Sequence, residues 1–391
     1  MGEQASAYAL PPVTVFPDAT RPHPMPCLGA GARAEAGRLA AVLAAVPAFG
    51  TAALRASGLR AAARAAAGLV RALPAADALT DTDGLPVRSP VQGYFRVRTA
   101  ALTAGQAAHQ AAQVIHRGLA DLCEVPLSGS DIVRETAAMR QVVVDLAGSE
   151  ESPQGTGDRS GESGESAPAA PGTGPRWQEE MWLSRWITGH HVHVLFNVYA
   201  TITLRQAVER LRGGAVREAI ARIDRTTVYV QGFAAARAHA AALPSDFYNT
   251  TVRPTMVPTV VPVPLSGGMH VEYREYRDAI GELVEALPDA IEDLAPREPD
   301  LAFAREALLE ADLIEAERHV CLVEPVVGAE RSLIQPPATT DNAVSVLRLM
   351  RHVRAARIAS LVRFGDHLVA TAVQHRREGG DGAATPGRAL E

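Results

Sequence analysis

Near its C-terminal end the chain carries the stretch Val346-Leu-Arg-Leu-Met-Arg-His-Val-Arg-Ala-Ala-Arg-Ile358. Leucine, alanine, arginine and methionine all favour helix, so the stretch predicts a helix, which we expect to run over residues 342–374. One imidazole, that of His352, lies in it among leucine and alanine neighbours. The same residue types recur along most of the chain, and strand signals are scarce, the best being 259–263. The sequence therefore predicts an all-α fold.

Composition excludes several classes of protein. The 391 residues carry a formal net charge of −6, so no general basic field is available to bind nucleic acid. No apolar run approaches the roughly 18 residues of a membrane-spanning helix. Three widely separated cysteines predict neither a disulfide framework nor a zinc site. We expect a soluble, cytoplasmic protein that binds neither nucleic acid nor membrane.

The chain divides into two helical parts. We predict an N-terminal helical region over 1–147, a disordered loop over 148–175, a second helical domain over 176–378 and a tail over 379–391, because the loop consists almost wholly of Ser, Gly, Glu, Pro and Thr. The predicted helices lie at 32–73 (broken near 47–50), 94–123, 130–146, 177–212, 216–242, 272–287, 300–320 and 342–374. The N-terminal helices either cap a pocket or form a homodimer interface.

The surroundings of His352 suggest what the last helix binds. Small residues follow the histidine, and arginines recur at 348, 351, 354 and 357, where they are available to pair with carboxylates. A flat macrocycle needs an imidazole on a face with few bulky neighbours, and haem iron accepts one proximal histidine. The alternative is an ordinary histidine in a surface helix.

Two further segments contain candidate site residues. In His190-His-Val-His193, His190 shares an apolar helix face with Trp186, so it is either a hydrogen-bonded core residue or a pocket group. Arg274 follows the Ser266-Gly-Gly turn, and arginine binds carboxylates with two parallel hydrogen bonds. The alternative for Arg274 is a surface ion pair, and the same ambiguity holds for Arg253 in the long irregular segment 247–268.

These segments together resemble a known superfamily. Trp186-Ile-Thr-Gly-His-His-Val-His-Val-Leu-Phe196, Leu243-Pro-Ser-Asp-Phe247, Ser266-Gly-Gly-Met-His-Val-Glu-Tyr-Arg274 and Arg351-His-Val-Arg-Ala-Ala-Arg-Ile358 are similar, in this order, to motifs of tryptophan 2,3-dioxygenase. The chain is thus identified as a member of the haem-dependent aromatic oxygenases, which include indoleamine dioxygenase, pyrrolnitrin-pathway enzymes and haem tyrosine hydroxylases. The resemblance covers about 175–365.

The resemblance implies roles for the residues that match. His352 would be the proximal iron ligand, with Arg351 and Arg348 pairing with the haem propionates, and His190 would act above the iron. Arg274 would hold the substrate carboxylate, assisted by Arg253 or Tyr248. Some hydroxylases of this group attach haem through a cysteine four residues after the proximal histidine; that position is Ala356 here, so we expect non-covalent haem b.

The departures from the family pattern bear on the substrate. Val194-Leu-Phe196 replaces the dioxygenase Glu-Leu-Trp, and the glycine-rich loop that closes over tryptophan is missing after His352. These differences favour hydroxylation of a tyrosine-like L-amino acid in natural-product biosynthesis, with hydrogen peroxide or dioxygen as oxidant. An indole dioxygenase or monooxygenase is the alternative. A haem-free helical binding or scaffold protein is the alternative of a different class.

Overall fold

The computed structural model describes residues 10–21, 28–47, 50–148, 175–328, 330–335 and 341–362. This part of the chain is mostly helical, as predicted. Its α-helices are α1 (Ala30–Ala44), α2 (Ala52–Ala72), α3 (Pro90–Tyr94), α4 (Ala104–Leu122), α5 (Gly129–Ala147), α6 (Pro175–Arg212), α7 (Val216–Ala240), α8 (Ser245–Phe247), α9 (Val271–Ala286), α10 (Ile291–Leu294), α11 (Pro299–Val327) and α12 (Ala343–Ile358). No helix among the described residues is long and apolar enough to cross a membrane.

Two short strands form a parallel pair. β1 (Thr14–Pro17) lies beside β2 (Val97–Ala100), with Thr14 opposite Val97. The prediction of one helix over 94–123 is therefore corrected: β2 occupies its first part, and α4 begins only at Ala104. Thr103 and Gln106 explain this start, because they form a reciprocal capping box. The strand signal at 259–263 is also corrected, since turns occupy that segment.

Helix ends elsewhere follow local capping chemistry. The Thr51 side chain caps α2 and the Ser128 side chain caps α5. Three predicted boundaries agree with the structure to within a few residues. They are the break near 47–50, the separation of α6 from α7 at Gly213-Gly214, and the start of α9. The predicted loop over 148–175 and the predicted tail over 379–391 lie almost wholly outside the described residues. The helix predicted over 342–374 is shorter than expected, because α12 ends at Ile358 and a 3-10 turn over Ala359–Leu361 follows it.

The core is built around α6 and α7. α6 packs along α7 and α9, α5 and α11 also pack against α7, and α4 packs against α6. Large side chains that are fully buried include Phe16, Leu39, Ile115, Phe196, Tyr229, Phe233 and Tyr276. Helices from both predicted parts thus contribute to one continuous hydrophobic cluster. The boundaries of the predicted domains stay predictions.

Candidate functional site

A cavity of about 290 Å³ lies where α6, α7, α9, α11 and α12 come together. Its wall is mostly apolar, with Val91, Ala236, Ala240, Leu243, Met256, Leu265, Leu322, Val323, Val346 and Leu347 among the lining residues. Ligand pockets are typically apolar with a few polar groups in fixed positions. The polar groups here are mainly imidazoles and guanidiniums.

Four histidines line this cavity: His190 and His193 from α6, His270 at the start of α9, and His319 from α11. Burial lowers the pKa of His190 to about 4 and the pKa values of His270 and His319 to about 3. Burial also holds the pKa of His193 well below its usual range. All four rings are therefore neutral near pH 7, and each has one nitrogen lone pair, the feature that accepts a proton or binds a metal ion.

The hydrogen bond of His190 fixes its tautomer. Nδ1 lies 2.7 Å from the backbone oxygen of Trp186, one turn earlier on α6. Because a carbonyl oxygen only accepts, Nδ1 carries the proton and Nε2 carries the lone pair. The ring stacks on Phe95 with centroids 3.9 Å apart and meets the Trp186 ring edge at 4.3 Å. His190 is thus held as a neutral base beside the cavity.

Arg237 connects two of the other histidines. Its Nε donates to Nε2 of His193 at 3.1 Å, and one terminal nitrogen donates to Nδ1 of His319 at 2.6 Å. The same guanidinium pairs with Glu315 at 2.8 Å, and Arg354 pairs with Glu315 at 2.7 Å. Burial alone would raise the pKa of Glu315, but the two arginines lower it to about 2. One side of the cavity is therefore formed by a network of charged side chains that hydrogen-bond to one another.

His270 has a buried ring nitrogen, Nδ1, that makes no hydrogen bond to the described residues. Its side chain is 5% exposed. It immediately precedes α9 and follows the turn Gly267–Met269, which the Ser266 side chain stabilises by accepting from the Gly268 N–H. An unsatisfied buried nitrogen costs about 1–3 kcal/mol, so its presence in a cavity indicates a site for a group bound from outside the chain.

The cavity includes part of the set of site residues predicted from the sequence. His190, Tyr248, Arg253 and Arg351 line it. Tyr248 packs edge-on against Trp186 with centroids 5.6 Å apart. Arg253 donates to the backbone oxygen of Arg331 at 2.6 Å and pairs with Glu330 at 3.3 Å.

The structure does not bring His352 or Arg348 to the cavity. His352 is exposed, Arg348 lies on the surface, and neither is among the residues that line the cavity. α12 packs on α11 through Arg354, whose side chain is buried against Asp312 and Glu315. His352 precedes Arg354 by two residues, which places it on the opposite side of the helix. Arg348 forms a surface pair with Glu324.

Arg274 also lies outside the cavity. The buried face of α9 carries Glu272, Tyr276, Ala279 and Leu283. Arg274 is two residues from both Glu272 and Tyr276, so it projects to the other side and is exposed. It does not line the cavity and is not positioned to hold a carboxylate there.

The sequence interpretation missed His270 and gave no role to His319 or Arg237. A signal for His270 was present, because it directly follows the Ser-Gly-Gly turn and precedes the predicted helix. His319 and Arg237 gave no such signal, since each lies within a long helix whose packing alone turns it toward the cavity.

Comparison with known proteins assigns the family. The model of the SfmD 3-methyl-L-tyrosine peroxygenase family matches residues 14–304. The chain belongs to this family. The match confirms, at the level of family, the resemblance to oxygenases of aromatic amino acids. It spans β1 through the first turns of α11, and so includes His190, His193 and His270.

The chain is similar to a curated relative and to a solved structure. The 3-methyl-L-tyrosine peroxygenase of Streptomyces lavendulae is 29% identical over 192 residues, which is 48% of this chain and 49% of the relative. The chain thus matches about half the length of that relative. The crystal structure of reduced SfmD, soaked with sodium hydrosulfite, has a TM-score of 0.49 and 19% identity, covering 79% of this chain and 97% of the other.

Proposed function

We propose that the protein is a haem-dependent oxygenase that hydroxylates the ring of a tyrosine-like L-amino acid in natural-product biosynthesis. The observation that carries this proposal is the group of neutral imidazoles in an apolar cavity, in a chain of the peroxygenase family. A relative with that family's name acts on 3-methyl-L-tyrosine. We further propose a cytoplasmic location and a homodimer. In support of the homodimer, four large apolar side chains of α11 and α12 are exposed, those of Phe303, Ile314, Leu349 and Val353.

The residues of the cavity fit a haem group. His270 has an unpaired buried nitrogen, which makes it the first candidate for the iron ligand. His319 is the second: Arg237 donates to its Nδ1, so ligation through Nε2 requires Arg237 to release that bond. Haem iron needs only one or two protein ligands, which agrees with the lack, among the described residues, of a cluster of three metal-binding side chains. Arg351 lines the same cavity and would reach a propionate by releasing its pair with Glu317 at 2.8 Å.

We propose non-covalent haem b. Ala356 bears on covalent attachment only where His352 is the ligand, and His352 does not line the cavity. The residue four positions after His319 is Val323, which lines the cavity and cannot form a thioether. Cys123 and Cys321, the cysteines that the structure describes, are not among the lining residues.

The protein side chains supply binding and proton transfer. Bound haem would provide the redox chemistry that activates the oxidant; with peroxide, one oxygen atom is inserted into a ring C–H bond to give a hydroxyl group, and the other leaves as water. With His319 holding the iron, His190 would accept a hydrogen bond at Nε2 from a substrate phenol or from peroxide and hold that proton as a general base. With His270 holding it, the 6.0 Å between the centroids of the His190 and His270 rings leaves no room for a substrate between them. Arg253, with Tyr248, would hold the amino-acid carboxylate in place of Arg274. The apolar wall excludes water from the ring.

The direct test is turnover by the haemin-loaded protein. L-Tyrosine, 3-methyl-L-tyrosine and L-tryptophan are each incubated with peroxide, or with dioxygen and a reductant, and products are identified by mass. We expect a tyrosine-like product that is heavier by one oxygen atom, and a loss of about 10²-fold in kcat for His190→Gln. Oxygen insertion into tryptophan alone would favour the indole alternative. Haem uptake without turnover of any substrate would overturn the proposed activity.

A further inference from the structure

We propose that Phe95 is a positioning residue that fixes the imidazole rings of His190 and His270. Its ring stacks on His190 at 3.9 Å and 16° between planes, and on His270 at 5.3 Å and 27°. The two imidazoles are themselves nearly parallel, with centroids 6.0 Å apart. Phe95 is 4% exposed and lines the cavity. One phenyl ring therefore contacts both imidazoles and holds their planes in a common orientation.

The backbone around Phe95 is held in an uncommon conformation. Arg96, the next residue, has a φ of +55°, a left-handed conformation that costs a non-glycine residue about 1 kcal/mol or more. This residue reverses the chain between α3 and β2, and its carbonyl accepts a hydrogen bond from the Thr14 N–H of β1 at 2.9 Å. Strain of this kind persists only where surrounding contacts enforce it, which indicates that the placement of Phe95 is maintained by the fold.

A buried hydrogen-bond chain supplies one of those contacts. Nε2 of His191 lies 2.7 Å from the backbone oxygen of Phe95, so the ring donates there and its Nδ1 accepts from the Thr14 hydroxyl at 3.2 Å. Arg117 donates in turn to the Thr14 oxygen at 2.6 Å. His191 is the residue after His190 on α6, so this bond ties Phe95 directly to the helix that carries His190.

A second tether fixes Phe95 relative to His270. Glu272, in the first turn of α9, accepts hydrogen bonds from Gln92 of α3 at 2.6 Å and from Thr99 of β2 at 3.1 Å. Gln92 and Thr99 lie on either side of Phe95 in the chain, and Glu272 lies two residues after His270. The segment from α3 to β2 is therefore fastened to both histidine-bearing elements, and Phe95 projects between these attachments.

The inference deepens the proposed function and rests on it only for its catalytic consequence. In the cofactor-free protein it concerns the orientation of the two imidazoles alone. We expect Phe95→Leu to free both rings, so that the NMR order parameters of their ring carbons fall clearly below those of the original protein. Phe95→Tyr, which keeps a flat ring, should restore the original order. Phe247→Leu is the matched control, because Phe247 is similarly buried but packs on Trp182.

The outcomes separate the inference from the proposed function. Folded Phe95→Leu protein whose two imidazoles stay as ordered as in the original chain would overturn the inference, as would an equal loss of order in Phe247→Leu. If Phe95→Leu does not fold, Phe95→Met is tested in its place, because it retains side-chain volume without a planar ring. Haemin uptake is measured separately: its absence in the original protein would refute the haem proposal, while the ring order would still decide the role of Phe95.

Discussion

Gly189 has no side chain, and this allows α6 and α7 to approach each other closely. Gly189 precedes His190, and a Cβ at this position would lie 2.6 Å from the backbone nitrogen of Ala240. Backbone atoms cannot rotate away as a side chain can, so only a shift of one whole helix would make room. Ala240 also lines the cavity. The glycine thus determines how closely His190 approaches the wall formed by α7.

This close approach predicts the effect of Gly189→Ala. Overpacking of a well-packed core costs about 1–3 kcal/mol, so we expect the variant to lose about 2 kcal/mol in free energy of unfolding, measured with denaturant. Gly281→Ala is the control, because a Cβ added there, within α9, would have no atom within 4 Å. It should gain about 0.5–1 kcal/mol from helix propensity. If Gly189→Ala and the original protein had the same free energy of unfolding, the two helices could accommodate the added methyl group and the prediction would be refuted.

The sequence predicted least well the direction in which each candidate side chain projects from its helix. His190 was identified because it lies on an apolar face with Trp186, and burial on such a face is what the pattern reports. His352 lies in a helix that is basic and apolar all round, so its pattern does not reveal which face packs. The structure buries Arg354 against α11 instead, since two carboxylates there pair with the guanidinium.

Among the elements of the fold, α7 is joined to the N-terminal helices by a buried imidazole. His239 contacts Glu135 of α5 at 2.8 Å and Asp121 of α4 at 2.7 Å, and Arg185 of α6 pairs with Asp121 at 3.3 Å. Burial alone would lower the pKa of His239, but the two carboxylates raise it to about 9. His239 therefore carries a proton on both nitrogens at neutral pH and directly precedes Ala240 at the cavity wall.

This arrangement predicts a pH-dependent contribution to stability. The folded-state pKa exceeds the ordinary value of 6.5, so the contribution is complete below pH 6.5 and disappears as pH rises through about 9. His239→Gln leaves Glu135 without its positive partner, while Asp121 keeps Arg185, and should cost on the order of 3 kcal/mol in free energy of unfolding at pH 6.5. The deficit should shrink toward pH 9. His352→Gln, at an exposed position, is the control. A deficit that is constant over this range would refute a protonated His239.

Long helices were predictable from sequence, and the short strands were not. α6, α7 and α9 are amphipathic or apolar over many turns, and glycine pairs or proline-containing turns mark their ends. β1 and β2 have only four residues each, and they pair across about eighty residues of intervening chain. Neither strand has enough residues for a period to be recognised. Their pairing depends on tertiary packing, as does the placement of Phe95 beside them.

For the molecule as a whole, the N-terminal region completes the cavity. Phe95 and Val91 contribute to the wall, and Glu272 and His191 fasten their segment to α9 and α6. Of the two roles considered for the N-terminal helices, this arrangement supports the capping of a pocket. The sequence could not distinguish the two, because the contacts that decide between them join residues more than ninety positions apart.

Binding of iron porphyrin by the histidines of this cavity is the proposal on which the proposed activity depends. It is tested by titrating the cofactor-free protein with haemin and following Soret absorption, for the original chain and for His270→Ala, His319→Ala and His352→Ala. We predict that the original protein and His352→Ala bind haemin with the same spectrum, and that at least His270→Ala loses or shifts the Soret band. Loss of the band in His352→Ala alone, or no haemin uptake by the original protein, would refute the proposed site.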